Sequence, residues 1–138
     1  MISIELTYPP SANRLWRSAG KGKVYTSPEY AAWKKDAAWT VAAAVSQQGR
    51  VEGPYELVIA VRKPDRRKRD LDNLFKPISD ALVAGGAIKD DSECAAISAA
   101  WNPDLQAPVS VMITPVTPFD QYIAARREGS RRNLKRIG

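Results

Sequence analysis

Apolar and polar residues alternate from the first positions of the chain, with Ile2, Ile4, Leu6 and Tyr8 separated by Ser3, Glu5 and Thr7. Residues two apart share a face in an extended chain, so this pattern predicts a half-buried strand, ended by Pro9-Pro10. Leu15–Arg17 and Lys23–Thr26 flank Ser18-Ala19-Gly20-Lys21-Gly22, which predicts a hairpin or a mobile loop. The period then changes. Ser27-Pro28-Glu29 is a helix start, with Ser as N-cap, Pro at the first helical position and Glu in the first turn. Tyr30, Trp33, Ala37, Val41 and Val45 recur at helical spacing up to Gly49, and Trp33 and Trp39 both read as core residues.

A second alternating strand, carried by Tyr55, Leu57, Ile59 and Val61, lies between Gly53-Pro54 and Lys63-Pro64. A second helix is expected from about Asn73 to Ala84, with Leu74, Ile78, Ala81 and Leu82 on one face and Gly85-Gly86 at its end. Pro77 should bend its first turn. Ala95–Trp101 and Val109–Thr114 complete the strands. This order predicts one α+β domain, a mixed β-sheet with two main helices packed on it, over residues 1–119. A basic tail, 120–138, follows.

Composition narrows the chemistry. The 138 residues are 44% hydrophobic and 26% charged, the balance of an ordinary globular domain. The one cysteine, Cys94, excludes an intrachain disulfide framework, and the lack of histidine excludes a histidine base or ligand. No basic segment leads into an apolar stretch at the start, and the stretch around Ala37–Val45 is too short to span a bilayer. A cytoplasmic protein without membrane contact is expected. The net charge of +6 is uneven: Arg126, Arg127, Arg131, Arg132, Lys135 and Arg136 stand against Glu128 after Ala124. Further positive charge gathers in Arg62–Arg69, and two such patches point to a polyanion. A solvated charge run with a solubilising tail would have the same composition.

Directly after Arg66-Arg67-Lys68-Arg69 come Asp70 and Asp72, then Lys76, and beyond the double glycine Asp90-Asp91. One account is local: Asp70 or Asp72 caps the second helix, and Lys76 pairs with Asp72 four residues back. The other account is a metal site. If Arg69–Asp72 is extended, Asp70 and Asp72 point together while Leu71 anchors into the core. A helix of about 12 residues covers roughly 18 Å. About six extended residues from Gly85 cover roughly 20 Å, so Asp91 can return to the helix start, or a partner subunit can supply it. Three carboxylates with open positions suit Mg²⁺, which keeps several waters and supports attack on a phosphodiester. A second ion about 3.5–4 Å away would stabilise the leaving 3′-oxygen. Lys76 would add fixed charge at the phosphate or leaving group, and Arg66, Arg67, Lys68 and Arg69 would grip neighbouring phosphates.

Asp65-Arg66-Arg67-Lys68-Arg69-Asp70-Leu71-Asp72-Asn73-Leu74, then Lys76, Asp80-Ala81-Leu82 and Asp90-Asp91, resemble the signature of the RusA family of Holliday junction resolvases. Pro9–Arg17 and Val24–Ser27 are similar to that family's earlier segments, so the resemblance runs over roughly residues 4–113. It implies a homodimeric, Mg²⁺-dependent endonuclease, with Mn²⁺ as a substitute ion, that nicks four-way DNA junctions symmetrically in recombination and repair. Such enzymes are often encoded on prophages. It also implies that Asp70, Asp72 and Asp91 hold the metal, with Asp90 as the adjacent alternative, and that Lys76 is the essential lysine. Asn13, Arg14, Arg17, Lys21 and Lys23 join Arg66–Arg69 as expected DNA contacts, and no small-molecule cofactor is expected. The rival functions are a non-catalytic, basic junction-binding protein and a less selective metal nuclease acting on flaps or single strands.

Overall fold

Three strands place every second side chain on one face of a sheet, and their rows meet in register. The structure, a computed structural model, describes residues 1–10, 16–18 and 24–116, the segments 16–18 and 24–26 through their backbone only. Its elements are β1 (Ile2–Leu6), β2 (Trp16–Ser18), β3 (Val24–Thr26), α1 (Pro28–Gln48), β4 (Tyr55–Val61), α2 (Phe75–Ala84), β5 (Cys94–Trp101) and β6 (Val109–Pro115). The main sheet runs β1-β6-β4-β5, antiparallel except for the parallel pair β4–β5, and β2 and β3 form a separate antiparallel hairpin. Ile2, Ile113 and Leu57 make one row, Ile4, Val111 and Ile59 the next, and Leu6, Val109 and Val61 the third. All nine are buried.

The two helices cover that face. Tyr30, Trp33, Ala37 and Val41 of α1 and Ile78, Ala81 and Leu82 of α2 are buried in the same core. Each large apolar side chain removed from water contributes about 1.5–3 kcal/mol. Gly85 sets how closely the helices meet: a Cβ there would lie 2.5 Å from the Val41 Cβ. Ser27 caps α1, its hydroxyl accepting from the Tyr30 N–H at 3.2 Å, with Pro28 behind it where no amide donor is needed. The predicted α+β architecture is the one observed, a mixed sheet with two helices on it.

Three local expectations are corrected. Trp39 is 72% exposed, because position 39 lies off the stripe formed by residues 30, 33, 37 and 41. The second helix begins at Phe75 rather than Asn73, after a separate 3₁₀ turn at Leu71–Leu74. Asp72 therefore lies in that turn, and only Asp70 has the extended backbone expected for the pair. Pro77 occupies the first turn of α2, where its missing N–H leaves no helical bond unmade. Asn13, Arg14, Lys21, Lys23 and the 120–138 tail lie outside the described residues, and Arg17 lies in β2 with only its backbone described.

Candidate active site

The segment leaving β4 is tied down by its own charges. Arg62 remains on the sheet, donating from its backbone N–H to Pro108 O at 2.9 Å and from Nη1 to the carbonyls of Leu105 and Gln106. Asp65 then closes a small loop. Its Oδ1 accepts the Arg67 N–H at 3.0 Å and the Arg69 Nε–H at 3.1 Å, while Oδ2 accepts from Arg69 Nη2 at 2.7 Å. The hydrogen bonds from Arg69 hold the Asp65 carboxyl at about 2, below its usual range. The same guanidinium lies over the Tyr8 ring, 5.4 Å from its centroid, which ties the loop to the chain just beyond β1. Arg69, expected to grip phosphate, is thus engaged within the protein, while Arg66, Arg67 and Lys68 are exposed. The Arg67 guanidinium makes a long contact with Asp65, at 4.0 Å.

Asp70 and Asp72 emerge from that loop uncommitted. Leu71 packs against the core and Leu74 is buried within it, so the 3₁₀ turn is anchored by its apolar residues and carries Asp72 and Asn73 outward. Asp70 occupies the cap position of the turn yet makes no side-chain capping bond. Neither the Asp70 nor the Asp72 side chain has a hydrogen bond or ion pair among the described residues. The local account thus loses its cap. It also loses its ion pair, because Lys76 turns forward: its Nζ is 3.0 Å from Asp80 Oδ1 and 3.9 Å from Asp91 Oδ2. Hydrogen bonding to Asp80 raises the Lys76 pKa, so the ammonium stays charged.

Asp91 reaches the start of α2 within one chain, as the returning segment allows. Asp90 points elsewhere. Its Oδ1 accepts the Ser92 N–H at 3.2 Å and caps the short 3₁₀ turn Asp91–Glu93, and that hydrogen bond lowers its pKa. The two neighbouring acids therefore differ in use, Asp90 holding the turn and Asp91 facing Lys76.

Among the described residues, no three acidic or cysteine side chains stand close enough as placed to coordinate an ion. Other observations do fit a hard cation at this corner. Asp70 and Asp72 are exposed carboxylates whose side chains have no partner among the described residues, and Asp91 is half-exposed and lies 3.9 Å from Lys76. The Tyr55 hydroxyl, at the start of β4, is buried and has no hydrogen-bond partner among the described residues. Burial raises its pKa first, with Cys94, Asp91 and Asp90 adding to the shift. An orphaned buried hydroxyl costs about 1–3 kcal/mol, and this one is near enough to Asp91 and Asp90 to feel their charge. The donor set, oxygen throughout, has the chemistry of a Mg²⁺ site.

Four further residues take part that the sequence reading did not single out for the site: Asp65, Asp80, Tyr30 and Tyr55. Asp65 and Asp80 carried a signal, standing four residues from Arg69 and Lys76 respectively. Tyr30 and Tyr55 carried none, since both read as ordinary core positions.

The whole arrangement lies inside a match to the endodeoxyribonuclease RusA family model, which covers residues 7–114. The chain belongs to the RusA family. It is 38% identical over 91 residues to the crossover junction endodeoxyribonuclease RusA of Escherichia coli K12, covering 66% of this chain and 74% of that protein. A RusA protein of Shigella sonnei matches at 37% over 91 residues, with the same coverage. Enterobacteria phage 82 supplies a third RusA relative, 37% identical over 90 residues, covering 65% of this chain and 73% of the phage protein. The RusA match thus takes in the Asp65–Asp91 segment and stops just before β6 ends. No helix among the described residues is long and apolar enough to cross a membrane.

Proposed function

We propose that this chain is a Mg²⁺-dependent, structure-selective endodeoxyribonuclease that resolves four-way DNA junctions by paired symmetric nicks. The observation that carries the reading is that the Asp70 and Asp72 side chains have no partner among the described residues, a few positions before a Lys76 that lies 3.9 Å from Asp91. Membership of the RusA family supports it.

Asp70, Asp72 and Asp91 would hold the ion, while Asp90 keeps the turn that presents Asp91. When bound, Mg²⁺ supplies activated water and neutralises charge on the phosphate oxygens. Lys76 contributes a fixed positive charge where negative charge develops on the phosphate or the leaving 3′-oxygen, giving 5′-phosphate and 3′-hydroxyl ends. Arg66, Arg67 and Lys68 project from the loop beside it and contact neighbouring phosphates, which positions DNA without reading its bases. Asn13, Arg14, Arg17, Lys21 and Lys23 extend that basic surface on the sequence reading.

Two symmetric nicks need two sites related by the junction's own symmetry, which a two-fold homodimer provides. The sheet face opposite the helices offers an apolar contact, since Val58 and Met112 stand side by side there with Ser3 and Ser98 as neighbours. Mn²⁺ would substitute for Mg²⁺ at an all-oxygen site.

The deciding experiment is cleavage of a synthetic four-way junction with and without Mg²⁺, beside flap, single-stranded and duplex controls. Paired nicks in the junction alone, only with the metal, are expected. Binding without cutting would make the protein a junction-binding module, and equal cutting of flaps would make it a less selective nuclease.

A further inference from the structure

Lys76 is held from behind. Asp80, one turn further along α2, gives Oδ1 to the Lys76 ammonium at 3.0 Å and receives the Tyr30 hydroxyl on Oδ2 at 2.8 Å. Tyr30 belongs to the first turn of α1 and is 4% exposed, its ring held in the core and its backbone N–H bonded to the Ser27 cap. Tyr30–Asp80 is a long-range bond, between residues 50 apart, and it fixes the direction of the Asp80 carboxylate. Lys76 itself is mostly exposed, and its other neighbour is Asp91 at 3.9 Å.

We propose that Asp80, oriented by Tyr30, is the positioning residue that keeps the Lys76 ammonium beside the metal position without letting it neutralise Asp91. This rests on the reading of Asp91 as a metal-holding carboxylate. A lysine and a divalent cation repel each other, and both are attracted to Asp91. With Asp80 in place, Lys76 has an anchoring carboxylate that is not a ligand, so Asp91 can turn to the ion while the ammonium stays. Without Asp80, the carboxylate remaining within 4 Å of Lys76 among the described residues is Asp91, and the ammonium competes with the ion for it. The Tyr30 hydroxyl matters because a freely rotating Asp80 could turn away from Lys76 or toward the ion.

Mg²⁺ titration by calorimetry of the full chain tests this with Asp80→Asn, Lys76→Ala and the double variant. Asp80→Asn should weaken Mg²⁺ binding about three- to fivefold, the range of an exposed ion pair. In the Lys76→Ala background the same change should cost less than about twofold, because the competing ammonium has gone. A purely structural Asp80, or one that attracts the ion only by its charge, would weaken binding equally in both backgrounds, and that result would overturn the proposal. Tyr30→Phe keeps the buried ring and serves where Asp80→Asn does not fold. It should reproduce the weakening in part, again only when Lys76 is present, while the KM for junction DNA stays near wild type and kcat falls. Wild-type protein that binds no Mg²⁺, or an Asp91→Asn variant that binds as well as wild type, would refute the metal reading and this inference together.

Discussion

Four aspartates between positions 65 and 80 are used in two opposite ways. Asp65 and Asp80 are each bonded to a cation four residues away and to a second donor, the Arg67 amide or the Tyr30 hydroxyl. Asp70 and Asp72, between them, have no partner among the described residues. Asp65 closes the loop before the inner pair, and Asp80 holds the Lys76 side chain after it. A carboxylate already paired gains little from a metal ion, whereas an unpaired one has its charge available for it. The comparison separates aspartates that hold structure from aspartates available for chemistry, in one stretch of chain and one residue type.

Asn at the inner positions gives the sharpest test. Asp70→Asn and Asp72→Asn should each lower junction cleavage by at least about a hundredfold, with junction binding retained and thermal stability nearly unchanged. Loss of folding in either would place it with the structural pair, and near-normal cutting would remove it from the site. Lys76→Ala should slow cleavage by up to about a hundredfold at unchanged affinity for the junction, since its charge acts in the transition state. An equal fall in affinity and rate would make it a phosphate-positioning residue.

The outer pair should respond differently. Asp65→Asn removes the charge that holds Arg69, so amide exchange at Arg67 should speed up and cleavage should fall less than in Lys76→Ala. The pH dependence has a definite sign. The folded-state pKa of Asp65 is lowered from the usual 3.8 to about 2, so its clamp is complete above about pH 4 and is lost as pH falls through about 2. An NMR titration of the carboxyl checks this, and a midpoint near the ordinary value would show that Arg69 does not clamp it. The smallest effect is expected from removing Ala124–Gly138, whose six basic residues lie beyond every proposed site residue. Cleavage at saturating protein should persist, while the log–log salt slope of binding should fall by about 0.9 for each phosphate that the tail neutralises in the full chain. An unchanged slope would leave the tail as a solubilising extension, and a folded but inactive truncation would show that it contributes to the site.

What the sequence determined by itself were the features set by local period and composition. The alternation in Ile2–Tyr8 and Tyr55–Val61 assigned the core face of two strands, and Ser27-Pro28 marked the start of α1, because both are decided within a few residues. The order of Asp70, Asp72, Lys76 and Asp91 behind a basic run was enough to suggest a phosphodiester-cutting site and its family. Tertiary structure decided which of those charges remain uncommitted. Lys76 had carboxylates at equal spacing on both sides, Asp72 and Asp80, and spacing alone cannot choose between them. Packing chose, because α1 brings the Tyr30 hydroxyl to Asp80 from 50 residues away and the return after Gly85 brings Asp91 to the same ammonium. Such contacts depend on where whole elements meet, and no local pattern in the chain encodes them.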